Sequence, residues 1–134
     1  MSSQEGVKKI LVVDDEYAFC KTLRQFFVKL NFEVVIATNG EHALDLIRDE
    51  RPDLMTLDIR MPGLDGYEAL NRAKHLAPEM PIVVITAVDV PRMEEMLERS
   101  GAQAVLRKPV VLHKVERTVK RLLAESKTAK PTQV

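Results

Sequence analysis

The sequence predicts an α/β domain of (βα)5 type: a doubly wound, five-stranded parallel sheet with helices on both faces. Three observations carry this reading. Five short, β-branched apolar runs recur along the 134 residues. They are nearly continuous rather than alternating, the pattern of strands covered on both sides. The segments between them have helical period, and strands joined through helices must be parallel with right-handed crossovers.

The elements follow in order. The first strand, 10–13, precedes Phe19, Leu23, Phe26, Phe27 and Leu30, which share one face of a helix at i, i+4, i+7, i+8 and i+11. The second strand, 34–37, ends before Asn39-Gly40, and Ala43, Leu44 and Ile47 continue as a helix. Pro52 opens the way to the third strand, 54–57; Pro62-Gly63 follows, then the helical set Leu70, Ala73 and Leu76. Pro78 and Pro81 lead to the fourth strand, 82–85, and Pro91 precedes Met93, Met96 and Leu97. Gly101 precedes the fifth strand, 104–106, and Pro109 separates it from Leu112, Val115, Val119 and Leu122. Apolar periodicity is lost from Glu125 onward. The expected organisation is a flexible N-terminus at 1–8, one folded domain at 9–125, and a flexible tail or linker start at 126–134. There is no internal repeat.

Composition narrows the function classes. Lys plus Arg number 20 and Asp plus Glu number 20, so no global basic field argues for nucleic acid or an anionic membrane. Neither aromatic interleaving nor a helix-turn-helix pattern supports direct nucleic-acid binding. The single cysteine, Cys20, excludes an internal disulfide framework and suits a reducing compartment. The longest strongly apolar stretch, 82–88, is too short to span a bilayer, and the N-terminus lacks the regions of a signal peptide. A cytoplasmic domain is expected.

Reactive side chains collect where strands end. Asp14 and Asp15 follow the first strand, Asp58 the third and Thr86 the fourth, and the fifth leads through Arg107 to Lys108-Pro109. Ligands in open α/β sheets bind at the carboxyl ends of strands, near the switch in strand order. With strand two at an edge, in the order 2-1-3-4-5, these four ends converge on one crevice. Three carboxylates there repel one another by about 4 kcal/mol per pair at 4 Å and an effective dielectric of 20, so the cluster needs a cation. Hard oxygen donors suit Mg²⁺. Lys108 adds a point charge for a phosphate and Thr86 a neutral donor, a set matching phosphoryl transfer, in which a carboxylate can itself be the nucleophile. Taken singly, each residue has an ordinary explanation: Asp15 as a helix cap, Asp58 as a loop residue, Thr86 as a strand end, Lys108 as a surface side chain. The constellation carries the reading.

The runs Ile10-Leu-Val-Val-Asp-Asp-Glu16, Leu57-Asp-Ile-Arg-Met-Pro-Gly-Leu-Asp-Gly66, Val84-Ile-Thr-Ala87 and Lys108-Pro109 resemble the CheY-like receiver domain of two-component response regulators, over about residues 8–125. The resemblance implies a flavodoxin-like fold and assigns roles residue by residue. Asp58 matches the phospho-acceptor. Asp14 and Asp15 match the acidic pair that holds Mg²⁺, or Mn²⁺ in its place, with Asp15 foremost as direct ligand; Arg60 sits where a backbone carbonyl meets the metal. Thr86 matches the switch hydroxyl and Lys108 the phosphate partner, with a cis bond before Pro109. A histidine kinase or histidine phosphotransfer protein is the implied donor. The implied activity is a signalling switch that catalyses only its own phosphorylation and slow dephosphorylation. Phosphorylation-dependent homodimerisation through the fourth helix, fifth strand and fifth helix is also expected, since Glu94, Glu95 and Glu98 on one helix complement Lys114, Arg117, Lys120 and Arg121 on the other. Two positions depart from the family: Val105 and Val110 stand where aromatic residues are frequent, so neither supplies an aromatic rotamer switch.

Two alternatives share these features. A haloacid-dehalogenase-like phosphatase or phosphotransferase also uses a strand-end Asp with Mg²⁺, but needs a second acid two residues on, where this chain has Arg60. An adaptor with the same fold would work without phosphorylation. His42, His75 and His113 lack ligand spacing and read as surface or structural residues. Cys20 reads as packing, and so do Met93 and Met96.

Overall fold

The computed structural model describes residues 6–60 and 66–129. Its elements are β1 (Lys9–Val13), α1 (Tyr17–Lys29), β2 (Glu33–Ala37), α2 (Gly40–Glu50), β3 (Leu54–Leu57), α3 (Gly66–Leu76), β4 (Ile82–Thr86), α4 (Met93–Arg99), β5 (Ala104–Arg107) and α5 (Leu112–Ala129). All neighbouring strands are parallel and the order is β2-β1-β3-β4-β5, as the sequence predicts.

The unbroken apolar strands have a direct cause. Successive side chains of a strand point to opposite faces, and both faces are packed. Leu11 and Val13 join Met55, Leu57, Ile82 and Val84 in a core closed by α2, α3 and α4. Ile10 and Val12 join Leu54, Val83, Ile85 and Leu106 in a second core closed by α1 and α5. Cys20 is buried in this second core. Met93 is buried as expected, but Met96 is 49% exposed: α4 is a short helix with one inward face, and Met93 and Leu97 fill it.

Local chemistry sets the ends. Asn39 caps α2, its Oδ1 accepting from the His42 amide at 2.8 Å. At α1 the cap position is Glu16 rather than Asp15; the Asp14 carboxylate accepts from the Glu16 amide at 2.9 Å and shapes the turn. Gly66 donates to the Ile59 carbonyl, and a Cβ at this position would overlap the Ile59 backbone, so the start of α3 can lie against the residue after Asp58 only as glycine. The Pro62-Gly63 punctuation lies outside the described residues. α5 continues past Glu125 to Ala129, with Arg121 and Glu125 paired at i, i+4.

Candidate functional site

The strand order places the carboxyl ends of β1, β3, β4 and β5 side by side, leaving β2 at the edge. Asp14 is the first residue after β1, and Asp58 the first after β3. Both are held by backbone bonds that extend the sheet: the Asp14 amide to Ala37 and the Asp58 amide to Val13. Asp14 is 1% exposed and Asp58 6%, whereas Asp15 is exposed. Carboxylate oxygens of Asp14, Asp15 and Asp58 all lie within 4.8 Å of one another.

Lys108 reaches this cluster from the end of β5. Its Nζ donates to Asp14 Oδ2 at 2.7 Å, to Asp58 Oδ2 at 3.2 Å and, more weakly, to Glu16 Oε1 at 3.5 Å. The ammonium also lies 4.4 Å from the centroid of the Phe19 ring, a cation–π distance. The Lys108-Pro109 bond is cis, as the resemblance implies. Asp58 Oδ1 accepts from the Arg60 amide at 3.0 Å, so backbone and lysine hold the two oxygens of one carboxylate.

Electrostatics follow from burial. Removal from water raises the Asp14 carboxyl above its ordinary value, against the opposing pull of Lys108 and the Glu16 amide. Burial works against the charge on Lys108, but the hydrogen bond and charge of Asp14, then those of Asp58, outweigh it and hold the ammonium above its usual range. Beside them the Cys20 thiol donates to the Asp14 carbonyl at 3.2 Å; burial first, and Asp14 second, push it up to about 11. A thiol so held is a poor nucleophile, consistent with a packing role.

Thr86 is fully buried, and its Oγ1 accepts from the Val88 amide at 3.1 Å. Lys108 donates its own amide to the Thr86 carbonyl at 2.9 Å, joining the two strand ends. His42, His75 and His113 are all exposed and scattered over three helices. Glu16 and Phe19 also attend the lysine, and sequence spacing did not reveal this. Phe19 sits on the apolar stripe of α1, and only the fold shows that its ring edges the polar site.

The donor set fits a hard divalent cation. Three carboxylates within 4.8 Å supply oxygen, and neither His nor Cys is among the ligand-capable groups of the cluster. Lys108 provides compensating charge from within the chain. The exposed Asp15 opens the cluster toward solvent.

The comparisons with known proteins agree with this geometry. The family model of the response regulator receiver domain matches residues 10–120. Sporulation initiation phosphotransferase F of Bacillus subtilis is 35% identical over 116 residues, covering 87% of this chain and 94% of that protein. The alkaline phosphatase synthesis transcriptional regulatory protein PhoP of the same organism is 34% identical over 125 residues, 93% of this chain but 52% of that one. The chain thus spans nearly all of the first relative and about half of the second. Among solved structures, a CheY-like receiver domain protein from Methanospirillum hungatei superposes with a TM-score of 0.88 at 29% identity, covering 92% of this chain and 98% of that one.

Proposed function

Because the chain belongs to the response regulator receiver-domain family, we propose that it is a phospho-accepting switch with Asp58 as the acceptor. The donor is a phosphohistidine on a histidine kinase or histidine phosphotransfer protein. An Asp58 oxygen attacks phosphorus, the new P–O bond forms, and the bond to the donor imidazole nitrogen breaks. The observation that carries this reading is the setting of Asp58: a nearly buried carboxylate with one oxygen 3.2 Å from Lys108 Nζ, beside Asp14 and Asp15.

Asp14, Asp15, Asp58 and the backbone carbonyl of Arg60 are the proposed holders of Mg²⁺, for which Mn²⁺ can substitute. Bound there, the ion would supply charge neutralisation for the transferring group. Lys108 moves from pairing carboxylates to pairing phosphoryl oxygens, and Thr86 turns its hydroxyl from the Val88 amide toward the phosphoryl group. The added charge favours a conformation that the free domain already samples. The folded unit begins at about residue 9 and extends past 125, since α5 continues to Ala129. Its output is binding to a partner or a linked domain rather than metabolic turnover. Arg60 is exposed and stands where a haloacid-dehalogenase-type enzyme needs its second acid, so that alternative is not favoured. No helix among the described residues is long and apolar enough to cross a membrane.

Incubation with acetyl phosphate and Mg²⁺, followed by intact mass spectrometry, tests the assignment. Wild type is expected to gain one phosphoryl group and Asp58→Asn none. An adduct on Asp58→Asn at the wild-type level would overturn it.

A further inference from the structure

We infer that Arg107 is a latch that restrains the switch: one side chain on β5 pins the segment after Thr86 in the resting position. The inference rests on the reading that Asp58 is phosphorylated and that Thr86 moves in response.

The geometry begins at the β4–β5 pair, where Thr86 and Arg107 are register partners. The Arg107 guanidinium leaves the strand toward α4. One of its nitrogens lies 2.6 Å from Asp89 Oδ1 and another 3.5 Å from Glu94 Oε2. Asp89 is one residue past Val88, whose amide holds the Thr86 hydroxyl. Glu94 is in the first turn of α4. One cation therefore ties both ends of the segment 89–94 to the strand that also carries Lys108. Within that segment Met93 is anchored in the core and its amide donates to the Val90 carbonyl, but Val90, Pro91 and Arg92 themselves are exposed, and Arg92 takes a left-handed φ of 65°.

The Thr86 hydroxyl and the chain at 88–89 are joined by the Val88 amide bond; turning the hydroxyl away releases that amide, and the Asp89–Arg107 pair resists the shift of the chain that would accompany it. Two residues earlier on the same face of β5, Val105 packs into the core that contains Met93 and Leu97. It is apolar and too short to connect switch and surface. Arg107 supplies a polar connection between β5 and α4 at this end of the strand. Because its ion pairs are exposed, the restraint is small and screened by salt.

Arg107→Met keeps the length of the side chain and removes the charge. Initial labelling rates with acetyl phosphate and Mg²⁺, measured at about 50 mM and about 1 M NaCl, test the latch. Because the more populated active form labels faster, Arg107→Met and Asp89→Asn are each expected to exceed wild type roughly two- to fivefold at low salt. The variant-to-wild-type ratio should approach one at high salt, and taking the ratio cancels screening of the donor by the charges that both proteins share. For Arg107→Met, simple loss of a cation that attracts the donor gives the opposite sign, so this variant decides. Equal or slower labelling by Arg107→Met at low salt, or a ratio independent of salt, overturns the latch. Asp58→Asn separates the two claims: if it labels, the phospho-acceptor reading fails; if it does not and Arg107→Met matches wild type, only the latch fails.

Discussion

Lys108 and Asp14 are 94 residues apart in the chain and 2.7 Å apart in space, and the ammonium that joins them also touches Asp58. The domain therefore carries its own counter-ion for a cluster of carboxylates whose mutual repulsion would otherwise oppose folding. This relationship makes the cation requirement of the site measurable as stability.

Replacing Lys108 with Ala strands the nearly buried Asp14 and Asp58 carboxylates. Leaving a buried group unpaired costs about 1–3 kcal/mol, which for a domain of this size lowers Tm by about 4 °C per kcal/mol. Adding Mg²⁺ should then recover more of the melting temperature in Lys108→Ala than in wild type, because the ion takes over charge compensation. Thermal melts with Mg²⁺ and with chelator check both effects. Equal Mg²⁺ stabilisation of the two proteins would show that Lys108 and the ion do not share the same carboxylates.

The acid side of the same site should be visible in metal binding. Burial raises the Asp14 carboxyl from its ordinary 3.8. A raised acid favours its protonated form in the folded state, so its contribution to apo stability is complete below the unfolded value and is lost as pH rises through the folded one. Metal binding needs the ionised form and releases the proton. Mg²⁺ affinity should therefore fall on acidification at a higher pH than an ordinary Asp would give. Calorimetric titrations across the acid range, with the fold followed by circular dichroism, check this. A midpoint at 3.8 or below, in protein that is still folded, would contradict it.

Much of this site was legible because its residues stand at strand ends, and strand ends follow from apolar runs. The third strand matches its predicted bounds, and the others gain one residue at one end where the ladder extends beyond the apolar run. Asp14, Asp58, Thr86 and Lys108 meet because the topology places those ends together. What periodicity could not show is side-chain reach. Phe19 belongs to the apolar stripe of α1 yet lies against the Lys108 ammonium. Arg107 reads as the residue before the lysine, and its grip on Asp89 and Glu94 depends on where α4 packs. Gly66 closes against Ile59 through backbone alone, which no side-chain pattern records.

Self-association on phosphorylation is the expected output on the face formed by α4, β5 and α5. Glu94 is engaged by Arg107, Lys120 by Glu116 and Arg121 by Glu125. No ion pair within the described residues takes up Glu95, Glu98, Lys114 or Arg117, so these four are the groups free to pair between copies. Exposed pairs contribute about 0–1 kcal/mol each, so the dimer should weaken as salt rises. Sedimentation with and without a beryllofluoride phosphate mimic, at low and high salt, checks it. A monomer in both states at high protein concentration would exclude it.

The lifetime of the phosphorylated form should be long. Hydrolysis needs a water in line with phosphorus, opposite the Asp58 oxygen. By resemblance to the family, the side chains two residues after the acceptor and two after the switch threonine flank that path: Arg60 and Val88. Arg60 is exposed, and its backbone amide holds Asp58 Oδ1 at 3.0 Å, so its side chain is free to lie over the phosphoryl group. It donates hydrogen bonds but cannot act as a base. Val88 is half-buried and packs against the core beneath α4, so it can neither hold the water nor leave room for a polar group to do so. Neither position supplies a group that activates water, and decay should be slow. Arg60→Asn, at an exposed site, should quicken decay with little effect on folding. Val88→Glu should quicken it further while lowering Tm, since a carboxylate then replaces a half-buried apolar side chain. The decay of purified phosphoprotein, followed by intact mass in the presence of Mg²⁺, measures both. Unchanged or slower decay in both variants would mean that these side chains do not gate the water, and that the lifetime is set by Asp58, Thr86 and Lys108 alone.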